Sequence, residues 1–112
     1  MAKPYPKEDH LIGNYAPLRM ESNVDDLIIE GNVPLEINGS YYRNGPDPKF
    51  SPRGGKSHWF GGDGMVHAFH INNGKVSYIN RWMRTVKWLK EHEAGEALFP
   101  SGMDPTDTDP SV

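Results

Sequence analysis

The stretch MVHAFHINNGKVSYINRWMRT, Met65 to Thr85, reads as two β-strands joined by a tight turn. Asn73-Gly74 suits a two-residue type I′ turn, whose central residues both take positive φ. That turn pairs Asn72 with Lys75 and fixes the register outward from there. Side chains alternate across a strand. One face of the hairpin therefore carries Ile71 with Val76, Phe69 with Tyr78, His67 with Asn80, and Met65 with Trp82. The other carries His70 with Ser77, Ala68 with Ile79, and Val66 with Arg81. The first face is apolar apart from His67 and Asn80, so it is expected to point to a core, with Asn80 satisfying His67. The second is mixed, as in an antiparallel sheet covered on one side.

Upstream, HWFGGDG (His58 to Gly64) delivers the chain into this hairpin, and Gly61-Gly62-Asp63-Gly64 is expected to form the turn. Before it, GPDPKFSPRGG (Gly45 to Gly55) has three prolines and three glycines, which forbid helix and central strand alike and predict a long rim loop. Leu27-Ile28-Ile29 and Leu35 to Ile37 read as two short strands. Asn38-Gly39 is expected to turn the second back into a returning strand, Ser40 to Asn44. Residues 1–24 alternate Pro, Gly, Asn and charge without a period and read as an extended arm, leaving residues 25–112 as the folded part. Downstream, Lys87 to Ala94 predicts two helical turns ended by Gly95. PSGMDPTDTDPSV (Pro100 to Val112) reads as a turn-rich acidic tail.

These segments amount to about five short strands with no long helix, an all-β chain. A two- to four-stranded sheet is marginal in water because its apolar face needs a partner surface. Propellers supply that surface by packing blades of roughly 40 to 50 residues around an axis. At 112 residues the chain has the length of about two such blades. Twelve glycines and ten prolines exclude a helical bundle, and they follow no collagen-like period. A net charge of −3 with mixed signs gives no basic stripe, so nucleic acid is not an expected partner. There are no cysteines, which removes disulfides, thiolate metal sites and a cysteine nucleophile. The opening residues MAKPYPKEDH lack the apolar core of a secretory signal, so a cytoplasmic chain is expected.

His58 and His67 flank the glycine turn, but two neutral ligands without a third fall short of a zinc site. His67 and His70, three apart in a strand, point to opposite faces. Gly62-Asp63-Gly64 lacks the third glycine of a dinucleotide fingerprint and the Lys-Ser/Thr of a P-loop, and Asp63 would repel an anion. Asp104, Asp107 and Asp109 resemble calcium ligands by density alone. Ser40, Ser57 and Ser77 stand in no nucleophile-elbow context, and the Asn38-Gly39-Ser40 glycosylation pattern is accounted for by the expected hairpin. Local chemistry therefore points to no enzyme.

The order of motifs says more. NYAP (Asn14 to Pro17), EGNVPLEINGSYYRNGPDP (Glu30 to Pro48), HWFGGDGMVHAF (His58 to Phe69), GKVSYINRWMRT (Gly74 to Thr85) and EAGEALF (Glu93 to Phe99) together resemble the amino-terminal part of the carotenoid cleavage oxygenases, which include the lignostilbene dioxygenases. The resemblance implies the opening blades of a seven-bladed β-propeller with a non-haem Fe(2+) on its axis. It implies cleavage of a carbon–carbon double bond of a carotenoid, apocarotenoid or stilbene by O2 into two carbonyl products. Family members hold the iron by four histidines, with glutamates behind three of them. Neutral imidazoles suit a ferrous ion with an open oxygen site, and the glutamates fix ring orientation. By the same resemblance the ligands are expected after Val112, no catalytic or metal residue lies in this chain, and Phe60 faces the substrate cavity. His58, His67, Arg43, Asn44, Gly45, Pro46, Arg84 and Thr85 match structural positions. The complete enzyme would take an apolar polyene or stilbene and O2, with room for peripheral membrane contact.

On this reading the 112 residues are an oxygenase segment, inactive alone. A reading from another class is a free-standing β module that binds an apolar partner through the hairpin face without catalysis. A third is a local metal enzyme using His58 and His67.

Overall fold

A computed structural model describes residues 2–55, 57–100 and 108–112. Among the described residues, strands β1 (Ser22–Val24), β2 (Gly39–Pro46), β3 (Gly64–Asn72) and β4 (Lys75–Trp82) precede the α-helix α1 (Val86–Ala94). The four strands form one antiparallel sheet in the order β1-β4-β3-β2.

The β3–β4 hairpin has the expected register from Asn72 opposite Lys75 through His67 opposite Asn80 to Met65 opposite Trp82. Asn73 (φ 50°) and Gly74 (φ 76°) both adopt the left-handed conformation that a type I′ turn requires. The face read as core-facing is buried at one end only. Met65, Trp82 and Trp88 of α1 form a closed cluster, whereas Phe69, Ile71, Val76 and Tyr78 are half-buried. A cross-strand row, Tyr41 opposite Phe69 opposite Tyr78 opposite Val24, continues this face over all four strands. No second layer covers it among the described residues.

Upstream, tertiary pairing overrides the local signals. The strand expected at Leu27–Ile29 does not form. Ser22–Val24 takes the free edge of β4, and only Leu27 N–H reaches the sheet, donating to Val76 O at 2.8 Å. Ile28 is 98% exposed. Ser22–Val24 closes the stretch read as an arm. The strand expected at Leu35–Ile37 and the turn at Asn38-Gly39 are also replaced. Leu35 and Glu36 sit in a turn closed by Ile37 N–H to Pro34 O at 3.1 Å, and β2 pairs instead with the long strand β3. Eight residues of β2 find register on β3, far more ladder than a three-residue hairpin arm could offer. Asn38 keeps a role as a clamp: its amide donates to Leu35 O at 3.1 Å, and its carbonyl accepts Asn73 N–H at 3.0 Å. It thereby ties one turn to the other, and four strands stand where about five were expected.

The turn expected at Gly61–Gly64 lies earlier. Gly61 N–H donates to His58 O at 2.9 Å, which puts Trp59 and Phe60 at the tip, and β3 begins at Gly64. The run of glycines serves close approach instead: a Cβ on Gly62 would lie 2.8 Å from Asp47 N. The helix forms as expected. Thr85 Oγ1 accepts Trp88 N–H at 3.1 Å as the N-cap, a contact of about 1 kcal/mol, and Gly95 in the left-handed conformation ends the helix. Residues 101–107, including Asp104 and Asp107, lie outside the described residues. Asp109 pairs with Arg53 at 3.0 Å.

Candidate functional site

The end of the sheet where β2 stops, β3 starts and α1 leaves β4 brings together Asp47, Lys49, Asp63, Lys87 and Glu91 with Trp82 and Trp88. Asp63 is its buried centre. Its carboxylate accepts Lys49 N–H at 3.0 Å and Lys87 Nζ at 2.9 Å, while its backbone carbonyl accepts Asp47 N–H at 2.8 Å. Lys87 also reaches Glu91, one helical turn on, at 2.9 Å. The other Glu91 oxygen accepts Leu98 N–H at 3.0 Å and Phe99 N–H at 3.1 Å. Burial alone would depress the Lys87 ammonium, but the hydrogen bonds and charges of Asp63 and Glu91 raise it above its ordinary value and keep it charged. This chain of charges fastens the loop after β2, the helix and the segment beyond it to one another. Sequence reasoning missed it. Lys87 and Glu91 at helical spacing were a legible half of the signal; Asp63, 24 residues earlier, was not.

Beside this node, Lys49 Nζ stands 4.1 Å from the Trp88 ring centroid, 5.4 Å from Phe50 and 5.6 Å from Trp82, and it contacts His92 Nδ1. Burial, then the nearby Arg84 charge, lowers its pKa. Arg84 lies 3.9 Å from Trp88 and pairs with Glu21 at 2.7 Å; Glu21 also accepts Trp82 N–H at 2.9 Å. Asp47 is pushed from its ordinary 3.8 to about 6, first by burial, with the Leu18 N–H bond opposing and the Asp63 charge adding.

Each histidine meets a different neighbour. His10 Nε2 lies 2.5 Å from Ser57 Oγ and 3.5 Å from Glu8. Acid and hydroxyl share one ring nitrogen there, so no catalytic relay forms, because a relay needs them on opposite nitrogens. His58 Nδ1 accepts Phe60 N–H at 3.2 Å. His67 Nδ1 lies 2.6 Å from Tyr78 Oη, which corrects the expected pairing with Asn80. Asn80 is instead used by Ser22 N–H, at the junction with β1. Burial, then the Arg43 charge, lowers the His67 pKa and favours its neutral form. His70 meets Ser40 at 2.6 Å and His92 stacks on Trp88 at 4.7 Å. No three His, Asp or Glu side chains among the described residues are grouped to hold a metal, so these residues do not fit an iron site. Phe60, the expected substrate-facing residue, is 82% exposed at the tip of its turn, its ring 5.5 Å from His58.

A four-stranded antiparallel sheet whose rim is built from aromatic loops, with no metal group or nucleophilic relay of its own among the described residues, is a blade-like β unit. The model for the family described as retinal pigment epithelial membrane protein matches residues 15–111. The isoeugenol monooxygenase of Pseudomonas nitroreducens is 39% identical over 100% of this chain and 23% of its own length. The carotenoid 9,10(9',10')-cleavage dioxygenase 1 of Pisum sativum is 46% identical over 80% of this chain and 16% of its own. The crystal structure of Pseudomonas brassicacearum lignostilbene dioxygenase matches 97% of this chain and 24% of its own with a TM-score of 0.86 at 35% identity. The chain therefore belongs to the retinal pigment epithelial membrane protein family, the carotenoid cleavage oxygenases. It spans less than a quarter of the length of these relatives.

Proposed function

We propose that these residues are the opening segment of a seven-bladed β-propeller oxygenase that cleaves a carbon–carbon double bond of a carotenoid, apocarotenoid or stilbene with O2, giving two carbonyl products. The observation that carries this reading is the superposition of nearly the whole chain on a lignostilbene dioxygenase. In the proposal, residues 1–24 are an arm whose last three residues, β1, dock on the sheet, and residues 25–112 are a partial propeller domain in a cytoplasmic enzyme. Fe(2+) supplies oxygen activation when bound, through histidines outside these residues. What this chain contributes is shape. The Asp63, Lys87 and Glu91 network holds the rim, and the exposed Phe60 ring forms an apolar wall for the substrate.

The test is a chimera in which these 112 residues replace the matching segment of the Pseudomonas brassicacearum enzyme. It is expected to bind iron and cleave a lignostilbene, and Phe60→Ala in it should raise KM about tenfold, the loss of one aromatic contact surface. A chimera that loads iron and folds but cleaves nothing overturns the reading. Tight one-to-one iron in the 112-residue chain alone, lost on His58→Ala, would instead establish a local site. The half-open face of Tyr41, Phe69, Ile71, Val76 and Tyr78 favours one second reading, a β module that docks an apolar partner there. An active chimera excludes it as the main function.

A further inference from the structure

A cavity of about 710 Å³ opens between the N-terminal arm, the loop after β2 and the end of α1. Its volume falls in the range of roughly 300 to 1,000 Å³ that holds one small organic molecule. Four cations line it, Lys3, Arg19, Lys49 and Arg53, against a single acid, Glu96. Lys3 is paired with that acid at 3.3 Å, and Arg53 with Asp109 at 3.0 Å. Arg19 and Lys49 form no ion pair among the described residues. Arg19 lies 5.7 Å from the Tyr5 ring, and Lys49, whose ammonium also contacts His92 Nδ1, sits among Phe50, Trp82 and Trp88. Arg19 also has a φ of 63°, a conformation that non-glycine residues adopt rarely. The same wall presents aromatic surface from Tyr5 and Phe50. Tyr5 is held in place by its hydroxyl, whose one proton is shared between Pro48 O at 2.7 Å and Lys49 O at 2.6 Å.

Two cations with no carboxylate in an ion pair, beside two fixed rings, suit a flat molecule with one negative end. We infer that this cavity binds a small aromatic monocarboxylate, its ring against Tyr5 and Phe50 and its carboxylate between Arg19 and Lys49. Guanidinium and ammonium together give the carboxylate charge-assisted hydrogen bonds. The rings add apolar contact that inorganic anions cannot use.

Benzoate, benzamide and inorganic phosphate, titrated separately into the folded, iron-loaded chimera described above and followed by amide chemical shifts, decide the matter. Benzoate should saturate, with the largest shifts at Tyr5, Arg19 and Phe50, and weaken as salt is raised. Benzamide, of the same shape without the charge, and phosphate, with charge but no ring, should each bind at least about tenfold more weakly, a difference of about 1.4 kcal/mol. Arg19→Gln, at an exposed position, should weaken benzoate about tenfold, and Lys49→Arg should keep most of the affinity. Equal binding of benzamide, phosphate as tight as benzoate, or no saturable benzoate binding would each overturn the inference.

Discussion

Asp47 and Lys87 show how single ionisable groups set the behaviour of the rim. The Asp47 pKa is raised from 3.8 to about 6, so the folded chain binds this proton more tightly than the unfolded chain does. Stability from this group is therefore present below about pH 4 and is lost as pH rises through 6. Asp47→Asn keeps an oxygen for Leu18 N–H and removes the buried charge. Chemical denaturation should find it more stable than the parent by about 1–2 kcal/mol at pH 7 and equal to it near pH 4. Lys87 has the opposite character, since the Asp63 and Glu91 side chains it joins are 5% and 3% exposed. Lys87→Met leaves both carboxylates without their cation, and chemical denaturation should show a loss of about 2–3 kcal/mol at pH 7. Of these groups, only the helical spacing of Lys87 and Glu91 was legible in the sequence. His67 makes the same point: its strand register was readable, but its partner is Tyr78, two residues along from the position opposite it, because the Asn80 side chain is taken by β1.

Elements whose register depends on their own residues formed as expected. Asn73-Gly74 sets the β3–β4 hairpin, and Thr85 and Gly95 bound the helix. Gly74→Ala should cost about 1–2 kcal/mol in the denaturation midpoint, since a Cβ at φ 76° is strained and would also meet Leu35 at 3.4 Å. Elements whose partners lie far away in the chain did not form as expected. Ile28 and Ile29 have high strand propensity, yet the edge of β4 went to Ser22–Val24. The Glu21 bond to Trp82 N–H and the Ser22 bond to Asn80 fix that choice at one end of the strand. Asn38-Gly39 had the hairpin signal but lost to eight residues of pairing between β2 and β3. Local turn chemistry proposes a pairing, and the longer ladder decides.

The whole molecule is open for its size. Its radius of gyration is 16.9 Å, against about 13 Å for a compact domain of this length. Its accessible surface is 8031 Å², against about 6,200 Å² for a compact chain of its mass. Only six apolar residues are buried among those described. The 112-residue chain alone is therefore expected to melt broadly and to bind hydrophobic dyes, and a sharp calorimetric transition would contradict this. The sequence by itself determined the all-β character, the β3–β4 register, the helix and its Gly95 end, and, through the order of its motifs, the family. These rest on backbone conformations and side-chain alternation that a few adjacent residues dictate. Only the tertiary structure decided which strands border the sheet, where the glycine-rich turn falls, and how Asp63, Lys87 and Glu91 meet. It alone assembled the cavity that holds Arg19 and Lys49. Those features depend on charges and hydrogen-bonding edges brought together from residues far apart in the chain, where no local pattern records them.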